Sequence, residues 1–357
     1  MPHLLVDISA HGYGHIAQTA PVVRALLQQR PDLRVTVRCG AAHSYLQQRF
    51  QCPFQHIPQS FDFGMQMASA VEVKVAESAA AYRAFHTDWP RKVARAAEEM
   101  AALKPDLLLA NVPYLSLAAA HAARIRSVAL CSLNWADIYQ HYCVQDAASR
   151  TIHAQMLEAY NSAEHFLQPQ PAMAMPQLAN AQSIAPIVQP ASSQREHLIA
   201  QGLLPADEKW VLVAMGGMEY RLPIEHWPRL PGVRWLVAQS WNIRREDVSA
   251  YDALGIPFSD LLASCDAVLT KPGYGTFAEA ACTGVPLLYV SRRDWPEEPF
   301  LVQWLQQHGV CREVSRVQAQ AGELREALQA VWNAPRPTPP QANGAEEAAQ
   351  FMLQKYF

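Results

Sequence analysis

Leu269-Thr-Lys-Pro-Gly-Tyr-Gly-Thr-Phe-Ala-Glu279 runs from an apolar strand end through a glycine turn into the start of a helix. The first N–H groups of such a helix have no partner within it and point into the turn. Together with the helix dipole they favour an anion such as a diphosphate. Gly273 and Gly275 allow close approach to the backbone, and Thr276 adds a hydroxyl donor. Glu279, one turn further on, is placed to accept from both hydroxyls of a ribose. Lys271, ahead of the turn, either touches phosphate or is simply solvated. The spacing is not that of a P-loop. The segment reads equally well as an ordinary βα turn whose glycines serve packing.

The same strand–turn–helix rhythm extends in both directions. Towards the C-terminus, Trp210–Met215, Val233–Ala238, Ala267–Thr270 and Leu287–Val290 read as strands. The residues 259–263, 275–282, 298–307, 323–333 and 346–355 read as helices. Towards the N-terminus, 4–8, 33–37, 54–57, 106–110, 128–131 and 165–167 are predicted strands, several of them continuous apolar runs suited to burial on both faces. Helices are predicted over 17–29, 44–50 and 153–163, and over 76–103 with a break at Trp89-Pro90. The stretch Pro169–Gln194, rich in proline, glutamine and serine, reads as an inter-domain connection. A chain of 357 residues with this alternation suits two α/β domains built on parallel sheets.

Three further segments sit where strands end. Ala10-His-Gly-Tyr-Gly-His-Ile-Ala17 matches GxGxxA, a weak dinucleotide fingerprint by itself. The next strand ends in Arg38-Cys39 rather than in an acid for a ribose hydroxyl. An arginine there suits a 2′-phosphate, which keeps an NADP dehydrogenase open as an alternative. His11 and His15 in this turn read as a base near neutral pH or as caps on backbone groups. In Arg292-Arg-Asp-Trp-Pro-Glu-Glu-Pro299, Asp294, Glu297 and Glu298 either accept from sugar hydroxyls or offset a helix dipole. Gly216-Gly217 forms a second backbone wall against phosphate or only a tight turn. Asn134-Trp135, Tyr139 and Tyr142 read as the lining of an acceptor pocket or as core aromatics. Arg24, Arg30, Arg34 and Arg38 are scattered and are expected on the solvated surface.

Composition removes several classes. Half of the residues are hydrophobic and 17% are charged, so the chain can fill large cores. A net charge of −3 gives no basic field for nucleic acid. No apolar run is long enough to span a bilayer, and the first residues lack the pattern of a secretory signal. The seven cysteines are widely spaced with no CxxC, so they are expected as reduced thiols of a cytoplasmic protein without a zinc site. No DxD, GxSxG, HExxH or kinase motif set occurs. Without DxD, charge on a bound diphosphate is expected to be met by backbone N–H groups rather than by a divalent metal, with no resident cofactor.

The C-terminal half resembles the nucleotide-binding half of GT-B glycosyltransferases, and Gly14-His-Ile-Ala17 looks like their Gly-His turn. A closer resemblance is to the glycosyltransferase-like N-terminal region of L-arabinokinases, through Leu133–Tyr139, Lys271–Glu279 and Arg292–Leu301, with likeness over roughly residues 5–310. It ends where their sugar-kinase domain would begin, so no ATP-dependent kinase activity is carried over. The resemblance implies a GT-B fold: α/β, two Rossmann-like domains with parallel sheets facing across a cleft. These are a first, acceptor-binding domain over 1–187, a nucleotide-sugar-binding domain over 188–340, and a last helix within 341–357 crossing back to the first. It implies Gly273, Tyr274, Gly275 and Thr276 as the diphosphate turn and Glu279 as the ribose carboxylate. Phe258 falls at the base-binding backbone, Glu297 and Glu298 at the sugar-contacting pair, and His15 near the anomeric carbon. The expected activity is metal-independent, inverting transfer from a nucleotide-sugar, by family default a UDP-sugar, to an acceptor that the sequence does not specify. A nucleotide-sugar hydrolase and a non-catalytic nucleotide-sugar-binding protein are the alternatives.

Overall fold

A computed structural model describes every residue except 70–71, 217–219 and 293. The chain divides into two compact units. The first comprises Met1–Ala68, Glu72–Ile187 and Ala342–Phe357; the second is chiefly Val188–Gln341. Each is built on its own parallel sheet with helices in most of the connections between strands.

In the first unit the strands are β1 (His3–Ile8), β2 (Arg34–Arg38), β3 (Gln55–Ile57), β6 (Leu107–Asn111), β7 (Arg126–Leu130), β8 (His165–Pro169) and β9 (Ala181–Ile184). Their order across the sheet is β3-β2-β1-β6-β7-β8-β9. A separate pair, β4 (Met67–Ser69) and β5 (Glu72–Val73), lies outside it. In the second unit β10 (Lys209–Ala214), β11 (Val233–Val237), β12 (Val248–Ala250), β13 (Ala267–Thr270), β14 (Leu287–Tyr289) and β15 (Cys311–Glu313) run in the order β12-β11-β10-β13-β14-β15. Strands β1, β6 and β13 are buried along their whole length. That burial explains their unbroken apolar runs, because helices cover both faces of a parallel sheet.

The C-terminal helix Gly344–Tyr356 belongs to the first unit. Its Ala345, Ala348, Ala349 and Met352 repeat at helical spacing. They join the core formed by Ile16, Ala20 and Val23 of the Gly14–Gln29 helix with Val6 and Val35 of the sheet. Among the described residues no helix is long and apolar enough to cross a membrane.

Two expectations are corrected. Pro169–Gln194 is not simply a connection, because β8 ends at Pro169 and β9 lies within it as the edge strand, in register Phe166↔Ala181. An edge strand needs partners on one side only, so it survives in proline-rich sequence. Arg38 is not on the surface: it is buried and bonds through Nε and Nη2 to both oxygens of the buried Asp7. Its guanidinium also lies 3.7 Å above the Phe61 ring. The helical region around Trp89-Pro90 is divided as expected, into Val75–His86 and Trp89–Leu103. Asp88 is left-handed at φ 53° between them, and Pro90 sits in the first turn, where a missing N–H costs nothing.

A methyl group at Gly344 would meet the Ala185 carbonyl oxygen at 1.9 Å. Gly344→Ala therefore forces the last helix away from its seat. The expected loss is about 1–3 kcal/mol of stability, seen as a lower urea midpoint, despite the better helix propensity of alanine.

Candidate active site

In the first unit the site begins where β1 ends. The register Ile8↔Asn111 places the loop after β1 beside the last residue of β6. Gly12 makes the turn in the left-handed region at φ 79°, and the Gly14–Gln29 helix follows. His15, in its first turn, is 6% exposed. Its Nδ1 lies 2.8 Å from Asn111 Oδ1. An amide oxygen only accepts, so this bond assigns the proton to Nδ1 and leaves Nε2 as the acceptor. Asn111 Nδ2 donates to the His15 carbonyl and to Gln18 Oε1, fixing the amide in turn. The Cys131 thiol sits 3.6 Å from the same ring nitrogen.

Burial lowers the His15 pKa to about 4, and the Asn111 bond offsets this only in part. The ring is thus neutral at physiological pH. On acidification from pH 6.5 towards 4, the unfolded chain takes up a proton that the folded ring refuses. The ring's burial therefore costs stability progressively through that window and not above it.

His11 is half-buried, with its ring edge-on to the Trp135 indole at 4.9 Å; His15 is 5.8 Å from the same indole. Sequence reasoning missed both Asn111 and a third residue, Asp62. The Asp62 carboxylate is buried and accepts from the Ala10 N–H at 3.0 Å and from Trp135 Nε1 at 3.0 Å. Burial raises its pKa to about 6. It acts on stability in the opposite sense to His15: the folded chain binds this proton at higher pH than the unfolded chain, so acidification through that window favours the fold. Asn134 and Tyr139 are fully buried, and Asn134 caps the Trp135–Cys143 helix by accepting from the Asp137 N–H at 2.9 Å. They build core rather than line an opening. Arg38, held by Asp7, is not placed for a 2′-phosphate, which removes the support for an NADP enzyme.

In the second unit the register Ala214↔Thr270 brings the ends of β10 and β13 side by side. Gly216 is at φ 89°, and a Cβ there would lie 3.1 Å from Lys271 Cε. A Cβ at Gly273 would lie 3.9 Å from Lys271 Nζ, while one at Gly275 would meet nothing within 4 Å. Lys271 Nζ thus lies against Gly216 and Gly273, just before the Tyr274–Thr283 helix. Burial, then the Arg292 charge, lowers its pKa to about 8, and Glu297 and Glu298 pull the other way. Gly273 caps the helix in an extended conformation without a side-chain bond, and Thr276 is half-buried in the first turn. Glu279 is buried one turn on. Phe258 opens the neighbouring Phe258–Ser264 helix, half-buried and edge-on to Tyr251.

The acidic pair is turned onto its own loop. Glu298 accepts from Ser291 Oγ at 2.5 Å and from the Arg292 N–H at 2.7 Å; Glu297 accepts from Trp295 Nε1 at 3.2 Å. Both are buried, whereas Asp294 is exposed. Gly217 lies outside the described residues. Among the described residues no group of three or more His, Cys, Asp or Glu is arranged to hold a metal ion.

Two α/β units on parallel sheets of seven and six strands define the GT-B glycosyltransferase fold. The glycotransferase of kitacinnamycin has 16% identity and a TM-score of 0.66, covering 100% of both chains. UGT89C1 of Arabidopsis thaliana, solved with UDP, has 15% identity and a TM-score of 0.57, covering 100% of this chain and 94% of its own. The glycosyltransferase VinC, solved with dTDP, has 17% identity and a TM-score of 0.57, covering 99% and 95%. In sequence the chain is similar to the L-arabinokinase of Arabidopsis thaliana, 26% identical over 315 residues, 84% of this chain. It spans 29% of that relative's length. No family model matches the chain.

Asn111→Asp would put a carboxylate where the amide oxygen now meets His15. An opposite charge at that distance raises an imidazole pKa, here by roughly one to three pH units above the present value of about 4. An NMR pH titration of the His15 ring reads this directly; a titration unchanged from the parent protein would show that the ring does not answer to position 111.

Proposed function

We propose that the chain is a glycosyltransferase that takes a nucleotide-sugar, in the first instance a UDP-sugar, and transfers the sugar with inversion and without a metal ion. The observation that carries this reading is the neutral imidazole of His15, whose Nδ1 is fixed on Asn111 so that Nε2 is left to accept a proton. A base of that kind is what an acceptor hydroxyl needs as it attacks an anomeric carbon. The second unit supplies the complementary chemistry. N–H groups at the start of the Tyr274–Thr283 helix, with Thr276 and the Lys271 ammonium, answer the charge on a leaving nucleoside diphosphate. Gly216 and Gly273 leave the backbone open beside that ammonium. Glu279 is assigned to the ribose and Phe258 to the base. Glu297 and Glu298 act on the sugar only after exchanging their present loop contacts, with Asp294 the exposed acid beside them. Gly14 starts the helix that carries His15, and His11 borders it. UDP and dTDP in solved neighbours of the same fold support a nucleotide donor. No cofactor is required, and the sequence lacks the carboxylate pair that would hold a divalent cation.

Thermal melting with UDP, dTDP and their sugar conjugates identifies the donor, because a ligand of the folded form raises the midpoint. Lys271→Met is expected to weaken UDP binding about tenfold or more, the scale of one charge-assisted hydrogen bond. His15→Ala is expected to leave the UDP-dependent shift in place and to slow transfer by about 10²–10⁴-fold, with EDTA without effect on the parent enzyme. Full-rate transfer by the alanine variant would remove His15 as the base.

A further inference from the structure

Asp62 takes no part in the chemistry proposed above, yet it is a buried carboxylate that bonds two separate segments of the first unit. One oxygen accepts from the Ala10 N–H, 52 residues away; the other accepts from Trp135 Nε1, 73 residues away. Burying a carboxylate is costly unless it is fully hydrogen-bonded. A neutral asparagine would avoid that cost but has a single acceptor oxygen, so it cannot receive two N–H donors on two oxygens. The pair of donors thus explains why an acid stands here.

We infer that Asp62 is the positioning residue of the His11–His15 loop, acting through the Ala10 amide and the Trp135 indole. Three observations converge. The Ala10 bond fixes the backbone at the entrance to the loop. The indole that Asp62 orients is fully buried and touches both imidazoles, edge-on to His11 at 4.9 Å and 5.8 Å from His15. Two residues beyond Asp62, Gly64 is left-handed at φ 63°, and a Cβ there would fall 2.6 Å from His11 Cβ, Cγ and Nδ1. The 61–64 segment therefore closes directly on the His11 side chain. It is braced from behind, where the Arg38 guanidinium, held by Asp7, lies 3.7 Å over the Phe61 ring. Through the Ala10 amide and the Trp135 indole, Asp62 governs where both imidazoles are carried.

The test compares Asp62→Asn, Trp135→Phe and the double variant in the full chain. Its spectroscopic arm is independent of the proposed function. In ¹⁵N-labelled protein, Asp62→Asn is expected to move the His11 and His15 imidazole signals and the Trp135 indole N–H signal, the last identified by its loss in Trp135→Phe. Unmoved imidazole signals in a folded variant would overturn the inference. If Asp62→Asn does not fold, Asp62→Ser is read in the same way. The kinetic arm rests on the transferase reading and uses the nucleotide-sugar found by thermal melting. Each single substitution is expected to lower kcat about a hundredfold, the scale of a misplaced reacting group, with the donor KM changed less than twofold. The double variant is expected to match the less active single variant, because the Asp62–Trp135 bond is shared by both changes. Losses that multiply, or a kcat equal to the parent's, would overturn it. A parent protein that turns over no nucleotide-sugar would sink the transferase reading alone and leave the spectroscopic arm to decide Asp62.

Discussion

Parallel pairing delivers the carboxyl ends of neighbouring strands to the same edge of a sheet, and the candidate residues of each unit follow from that one constraint. In the first unit the ladder Ile8↔Asn111 sets the residue that ends β6 beside the loop that follows β1. The short bond from His15 to Asn111 is a direct product of that register. In the second unit the ladder Ala214↔Thr270 does the same for Gly216 and Lys271. A slip of one residue in either ladder would exchange side chains between the two helix-covered faces, and the close-packed cores on those faces resist that exchange.

The two units handle charge in contrasting ways. The first buries its ionisable groups and satisfies them internally: Asp7 on Arg38, Asp62 on two N–H donors, His15 on an amide. The second gathers Arg292, Glu297 and Glu298 close enough to Lys271 to act on its pKa. There the carboxylates hold Ser291, Arg292 and Trp295. The lysine, poised near its titration range by burial, is the group whose charge an incoming anion would stabilise.

Much of the scaffold was legible in the sequence because it is written locally. The strand–glycine–helix pattern at 269–279, the apolar runs and the break at Trp89-Pro90 each depend on a few adjacent residues. The short edge strands β9, β12 and β15 were not legible, since three or four residues with partners on one side leave little periodicity to read. The partners of the candidate base were hidden for a different reason. Asn111 lies 96 residues from His15, and Asp62 lies 52 from Ala10. Nothing in the neighbourhood of either marks it, although an asparagine ending a buried strand and an aspartate among aromatic and glycine residues were available signals. Arg38 misled because an arginine at a strand end is ordinarily solvated; only the register Asp7↔Arg38 reveals its partner.

An amide rather than a carboxylate beside His15 also bears on how a proton would be taken. Asn111 orients the ring and selects its tautomer but brings no charge, so its bond offsets only part of the effect of burial, which holds the pKa at about 4. Such a ring cannot deprotonate a resting hydroxyl to any useful extent. An oxygen that is already bonding to an anomeric carbon is far more acidic, and a weak base suffices to take its proton. On the proposed transferase reading, transfer would therefore be concerted, with the proton moving late, after the bond to the departing diphosphate has lengthened. On that reading, stabilisation of the leaving diphosphate would matter more to the barrier than the strength of the base. A site of this kind gains more from exact placement of the imidazole than from raising its pKa, which accounts for a buried carboxylate being spent on the loop that carries it.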